Sequence, residues 1–235
     1  KTAPAPENQS TATQSSADTQ KISALTPLAV HSHKVNLYSL LTAELRIALN
    51  GVSKWWYLIA AGIFVAGMLT PFAISHKFFL AAAWFWPLLI WSAMGCRDQL
   101  FDTRQLVQSS PGGVWAQLSM QWLAGFLIAV SVGGFIGIRT LLTGDFDLLS
   151  HWLIGAMFIP TLAISCGIVT GGRKLFEVLY TLIFYIGPLN KTPMCDFTGS
   201  AINGNFQTSI TLWGTITLAL LMIAFVRRQW QVSRG

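Results

Sequence analysis

The sequence predicts an all-α polytopic membrane protein: six transmembrane helices with an amino-terminal interfacial amphipathic helix and both ends cytoplasmic. Three observations predict it. Hydrophobic residues make up 53% of the 235 positions and charged residues 10%, where a soluble domain carries roughly 25% charged residues. Mean hydropathy is accordingly +0.54. The charges are also clustered, with no Asp, Glu, Lys or Arg in 55–76, 78–96, 105–138, 148–172, 178–190 or 197–226. Finally, the basic residues favour alternate loops, which is how a membrane chain records its orientation. The first observation argues against a soluble enzyme and excludes a protein disordered as a whole.

Residues 1–26 are a different material. They are rich in Ser, Thr, Gln, Ala and Pro, without apolar periodicity, and read as a disordered linker. The apolar segment of a signal peptide is absent from this stretch. With Lys1 rather than methionine as its first residue, the chain is expected to be a fragment or processed form, with an upstream half as one candidate for what the linker joined.

From Leu37 the pattern becomes helical. Leu37, Leu40, Leu41, Leu45 and Leu49 recur at spacings of three and four, with Glu44, Arg46 and Asn50 among them. The stretch runs into Lys54-Trp55-Trp56-Tyr57, the basic and aromatic mixture of a membrane–water interface. We therefore assign 37–54 to a helix lying in that interface, with packing on a soluble partner as the alternative.

Residues 55–228 form the membrane domain, with spans near 55–74, 78–95, 118–138, 152–171, 174–188 and 208–226. A hydrocarbon core takes about 20 residues, which five of the six charge-free gaps accommodate. The fifth is short unless Glu177 sits near its end, so five spans plus a re-entrant segment is the alternative. With a cytoplasmic amino terminus and six spans, the inner side holds Lys1, Lys21, Lys34, Arg46, Lys54, Arg97, Arg104, Arg173, Lys174, Arg227, Arg228 and Arg234. The outer side keeps Lys77, Arg139 and Lys191. This asymmetry accounts for the net charge of +6 as orientation rather than nucleic-acid affinity.

Few residues could carry chemistry. Ionisable groups at membrane depth are functional candidates because burying them is costly, and only Glu177 qualifies. It follows Arg173 and Lys174 by four and three residues, so an interfacial ion pair competes with a gating role. The loop 96–107 mixes both charge signs with Leu100, Phe101, Leu106 and Val107, then breaks at Ser109-Ser110-Pro111-Gly112-Gly113. It suits docking to a cytoplasmic partner, and equally a solvated connector on the bilayer.

Small residues mark close helix packing or a dimer seam: Gly133 and Gly137, Gly62 and Ala66, Gly155, Ala163 and Gly167. Pro87 and Pro160 are expected to kink their helices. The breaker-rich stretch from Gly187 to Thr208 reads as a partly re-entrant or surface-lying excursion. Cys96, Cys166 and Cys195 form no C-x-x-C pair, and His31, His33, His76 and His151 are not spaced as zinc ligands. There is no phosphate-cradling loop, no H-E-x-x-H and no serine with an obvious histidine partner. No catalytic residue, metal or cofactor is therefore assigned to this chain.

Several strings resemble ABC-2 type transporter permeases. They are Ala43-Glu44-Leu45-Arg46 with Lys54-Trp55-Trp56-Tyr57, then Trp86-Pro87-Leu88-Leu89-Ile90-Trp91-Ser92-Ala93-Met94-Gly95-Cys96-Arg97, then Gln105-Leu106-Val107-Gln108-Ser109-Ser110-Pro111. Lys174-Leu175-Phe176-Glu177-Val178-Leu179-Tyr180, Gly187-Pro188-Leu189-Asn190 and Asp196-Phe197-Thr198-Gly199 resemble a bacterial subgroup of that family. The resemblance implies a permease subunit in the bacterial inner membrane, an exporter working as a homodimer or heterodimer with another half. It implies a coupling helix between spans two and three that meets a separate ATPase subunit, which holds the ATP. Arg97, Asp98, Phe101, Asp102 and Arg104 would make that contact. The contrasting expectation is a non-transport membrane scaffold, or an enzyme whose active groups lie in a missing upstream portion.

Overall fold

The structure, a computed structural model, describes residues 36–50, 52–97, 113–200 and 206–233, and among them the regular structure is helical throughout. The linker expected at 1–26 lies outside the described residues.

Helix α1 spans Leu37–Leu49 and is capped by Asn36, whose side chain accepts from the Tyr38 N–H at 3.1 Å. It meets α2, Lys54–Leu69, at 101°. A right-angled corner is what an interfacial helix makes with a helix that enters the bilayer. Ser53 starts α2 by accepting from the Trp55 N–H at 3.4 Å. Thr70 ends it, because Pro71 disfavours helical backbone in the preceding residue. Its 16 residues span about 24 Å at 1.5 Å per residue, short of a 30 Å core.

Helix α3, Phe72–Phe85, carries a π-helical turn over Ser75–Phe79 and stops at Trp86-Pro87. A short helix α4, Leu88–Ser92, continues beyond the proline. Helices α5, Gly113–Thr143, and α6, Phe146–Thr170, follow. Pro160 leaves α6 continuous rather than ending it. Helix α7, Lys174–Phe184, passes into a second π-helical turn, Tyr185–Leu189, which contains Pro188. Helix α8 runs Phe206–Ser233.

Among the described residues three helices, within α5, α6 and α8, are long and apolar enough to cross a membrane, or four if α1 and α2 count as one bent span. The expectation of six spans is thus met in part. The segments expected at 55–74, 78–95 and 174–188 contain short or broken helices. The reason is local: Pro71, Pro87 and Pro188 each remove a backbone donor where a straight helix needs one.

Helix α5 organises the core through its backbone. The indoles of Trp91, Trp84 and Trp152 donate to the carbonyls of Gly125, Ala129 and Gly133, at 3.1, 3.1 and 3.2 Å. The three acceptors sit one turn apart on one face, and their small side chains let the large rings reach the helix backbone. A Cβ on Gly133 would lie 2.5 Å from Trp84 Nε1, and one on Gly137 would lie 2.9 Å from the Trp152 ring. The small residues read from the sequence as a packing face or a dimer seam therefore pack within the chain at these positions. Gly62 differs, with nothing near its face.

These contacts order the bundle into two ends. Trp152 meets Gly133 while Trp122 meets Thr161, so α5 and α6 are antiparallel. His151 meets Ser209 and Ser165 meets Leu220, so α6 and α8 run parallel. One end gathers Glu44, Arg97 and Arg173, and the other gathers His76, Asp145 and Thr198.

Candidate functional sites at the two ends of the bundle

At the first end, Arg97 Nη1 donates to Glu44 Oε2 at 3.0 Å. The two side chains are 14% and 6% exposed, so the pair is largely out of water. Glu44 comes from the buried face of α1, and Arg97 follows the positive-φ Gly95 at the end of the α4 segment. Gly95 is required there twice over, since a Cβ would also lie 2.6 Å from the Ile164 carbonyl oxygen. The opposing Gly167 is equally tight, with the Met94 carbonyl oxygen 2.5 Å from its Cβ position. Arg97 is therefore fixed against both α6 and α1.

Asp98, Phe101, Asp102 and Arg104, the other residues of the expected partner contact, lie outside the described residues. Arg173 and Lys174 are exposed and Glu177 is half-buried at the start of α7. No ion pair joins Glu177 to either cation among the described residues. Arg173 instead lies beside Cys96, whose thiol pKa is pushed up by burial despite that neighbouring charge.

The second end is closed by residues 187–200, which follow α7. Gly187 packs directly on the Cys195 carbonyl, which turns the chain back toward the bundle. Phe197 is fully buried, with ring centroids 5.5 to 5.9 Å from those of Phe158, Tyr180, Trp84 and Trp213. The excursion expected to be partly re-entrant or surface-lying thus pushes one aromatic ring into the core. One carboxylate in it holds the turn around Thr198. Asp196 Oδ1 accepts from the Thr198 N–H at 2.9 Å and the Thr198 hydroxyl at 2.5 Å, while Oδ2 accepts from the Ser200 hydroxyl at 3.1 Å.

Two histidines complete this cap. His76 Nε2 donates to the Thr198 carbonyl at 2.9 Å, tying α3 to the excursion. His151 Nε2 bonds Ser209 Oγ at 2.9 Å, tying α6 to α8. No nucleophilic serine with an obvious histidine partner is visible in the sequence; the fold nevertheless brings this serine and histidine together. The 58-residue separation hid the pair, because only the side-by-side, parallel packing of α6 and α8 brings the two together.

The arrangement falls short of a catalytic triad. His151 Nδ1 is buried without a hydrogen-bond partner, so no group orients the ring as an aspartate would. Both side chains are also enclosed, at 1% and 9% exposure. Among the described residues no cluster of His, Cys, Asp or Glu could hold a metal ion. No protein-family model matches the chain, and no curated protein or solved structure matches it either.

Proposed function

We propose that the chain is the membrane-spanning permease subunit of an ABC transporter, acting as an exporter with a separate ATPase subunit. The observation that carries the reading is the buried Glu44–Arg97 pair. It ties the helix at the right-angled corner to the residue that begins the charged loop. A partner pressing on that loop would move α1 with it, and α1 in turn packs on α5. Arg97 in this reading anchors the loop from the inside, and Asp98, Phe101, Asp102 and Arg104 would supply the contact with the partner.

In this proposal six segments cross the bacterial inner membrane, the broken ones lined by their neighbours, and the Arg97 end is cytoplasmic. The charge distribution supports that orientation. Arg46, Lys54, Arg97, Arg173, Lys174, Arg227 and Arg228 belong to that end, against Lys77, Arg139 and Lys191 at the other. Irregular backbone is tolerated at membrane depth where protein buries it, and Tyr180 illustrates this by donating to the Trp84 carbonyl at 2.9 Å, just before the Pro87 break. Two such units would frame the substrate path, and alternating conformations would carry the cargo across.

The experiment is co-purification of the full chain with its ATPase, with ATP turnover measured in the complex. Charge reversal at Asp98, Asp102 and Arg104 should weaken the complex and its ATPase activity together. If both survive unchanged, the coupling role of this loop is wrong.

A second reading, a membrane enzyme, draws on the Ser209–His151 contact. A fluorophosphonate probe separates the two. The permease reading expects no adduct at Ser209; an adduct that disappears in His151→Ala would favour the enzyme.

A further inference from the structure

Beside the Glu44–Arg97 pair lies a groove of about 660 Å³ between the corner of α1 and α2, the α3–α4 break and the start of α7. Its floor is aromatic. Trp56 and Trp86 stack with ring centroids 6.3 Å apart, and Trp86 Nε1 donates to the Trp56 carbonyl at 3.3 Å, so the two rings are locked together. Its lips are aliphatic and unusually open: Leu89 is 71% exposed and Ile47 55%.

The charge at the mouth is one-sided. Arg97 lines the groove but is neutralised by Glu44. Arg173 also lines it, and no carboxylate among the described residues pairs with that guanidinium. Exposed Lys54 and Lys174 adjoin the lining residues Ser53 and Arg173 in sequence. An apolar trough ending in a guanidinium that has no carboxylate partner among the described residues, beside the tryptophans Trp56 and Trp86, matches one kind of molecule. It needs a hydrocarbon tail, an anionic head and residence in the interface.

We propose that this groove binds an anionic phospholipid of the adjacent leaflet, its phosphate at Arg173 and an acyl chain along Trp56, Trp86 and Leu89. A guanidinium suits the phosphate because its planar donors can bond two oxygens at once. The neighbouring lysines add attraction that falls off within a Debye length of the surface. The site lies where α1 turns into α2, so a bound lipid would brace the corner. The inference rests on the membrane part of the proposed function and is independent of any ATPase.

The test uses the full chain purified in neutral detergent, with mixed micelles of phosphatidylglycerol or phosphatidylcholine as probes. Lipid retained by the intact protein is read by native mass spectrometry, and the thermal midpoint is followed in parallel. Phosphatidylglycerol should be retained preferentially and raise the midpoint. Arg173→Ala should reduce that retention about fivefold, the effect of one cation at an anionic surface. Arg173 is exposed, so this variant is expected to fold. Ala93→Phe, which fills the groove from its α4 side, should also reduce retention while leaving Arg173 in place.

Inorganic phosphate alone forms the remaining arm. Protection by phosphate equal to that by phosphatidylglycerol would replace the lipid with a simple anion and overturn the proposal. Equal retention of the two lipids, or retention unchanged in both variants, would overturn it as well. If the chain proved not to insert into bilayers while still retaining phosphatidylglycerol in micelles, the membrane reading would fail and the site would stand.

Discussion

Removing one member of the Glu44–Arg97 pair should destabilise the chain more than removing both. In Arg97→Leu the Glu44 carboxylate, 5% exposed overall, loses the charged donor 3.0 Å away that offsets part of its desolvation. Breaking a buried pair from one side costs about 3–5 kcal/mol. The Arg97 side chain retains 14% exposure, so water screens part of its charge, and the lower end, about 3 kcal/mol, is the better figure. For a chain of this size each kcal/mol shifts the midpoint by about 2–4 °C, giving a fall of about 6–12 °C.

The double variant Glu44→Met/Arg97→Leu removes both charges and fills the space with apolar atoms. Buried pairs replaced in this way are often neutral in stability, so most of the loss should return. The assay is thermal unfolding in detergent at one fixed scan rate, because irreversible midpoints depend on the rate. A coupling free energy of about 2 kcal/mol or more is expected from the cycle. Single variants within about 2 °C of the parent, or a double variant that falls by the sum of the singles, would refute the reasoning.

Gly155→Ala should lower the midpoint, because its Cβ would sit 2.5 Å from the Phe197 carbonyl oxygen and overpacking costs about 1–3 kcal/mol. An unchanged midpoint would mean that the excursion does not press on α6. Asp196→Ala strips the acceptor from the fully buried Thr198 N–H and hydroxyl, at about 1–3 kcal/mol for each buried group left unsatisfied. Asp196→Asn keeps one acceptor oxygen and should lose less, so equal losses in the two variants would count against this role. His76, in the connection between α2 and the second expected span, sets a pH dependence. Burial holds its pKa below the ordinary 6.5, outweighing the Thr198 carbonyl and the nearby Asp196 and Asp145, and Lys77 acts in the same direction as burial. The unfolded chain therefore takes up the proton first, so this contribution is complete above about pH 7 and declines as pH falls through the ordinary histidine range. Midpoints taken from about pH 8 to pH 5 should fall on the acid side, and His76→Gln should flatten the slope. A slope of opposite sign would show that His76 is charged in the fold.

Helix positions were legible because the apolar and charge patterns act locally. Leu37–Leu49 follows its three-and-four spacing, and α5, α6 and α8 fill the long charge-free gaps. Helix continuity was less legible. The same apolar composition covers Lys54–Leu69 and the regions around Pro87 and Pro188, and hydropathy does not register a missing backbone donor. Arg97 stood out as a loop charge, but its partner Glu44 is 53 residues away and no local rule joins them. The same holds for His151 with Ser209 and for His76 with Thr198, 122 residues apart. A signal for Ser209 and His151 did exist: each is a polar residue in a helix otherwise built for an apolar setting, where a polar group needs a partner.

That rule reaches further than the individual contacts. Each break in an apolar helix leaves carbonyls that a continuous helix would have satisfied, and this chain meets several of them with side chains rather than solvent. Arg139 Nη1 donates to the carbonyls of Gly67 and Thr70 at 2.9 and 2.7 Å, where Pro71 has stopped α2, and its guanidinium lies 5.3 Å from the centre of the Phe72 ring. Ser75 donates to the same Gly67 carbonyl at 2.6 Å. A cation at a helix C-terminus also complements the helix dipole. Arg139 is one of the three basic residues on the poorly charged side, and this geometry explains why it is kept there. It follows that its charge serves the break in the backbone before it serves orientation. Arg139→Leu should then damage the corner at Pro71 more than Lys77→Leu or Lys191→Leu damages its own segment. Protease cleavage between α2 and α3 in the three variants would measure this, and equal protection in all three would show that Arg139 is no more than a surface charge.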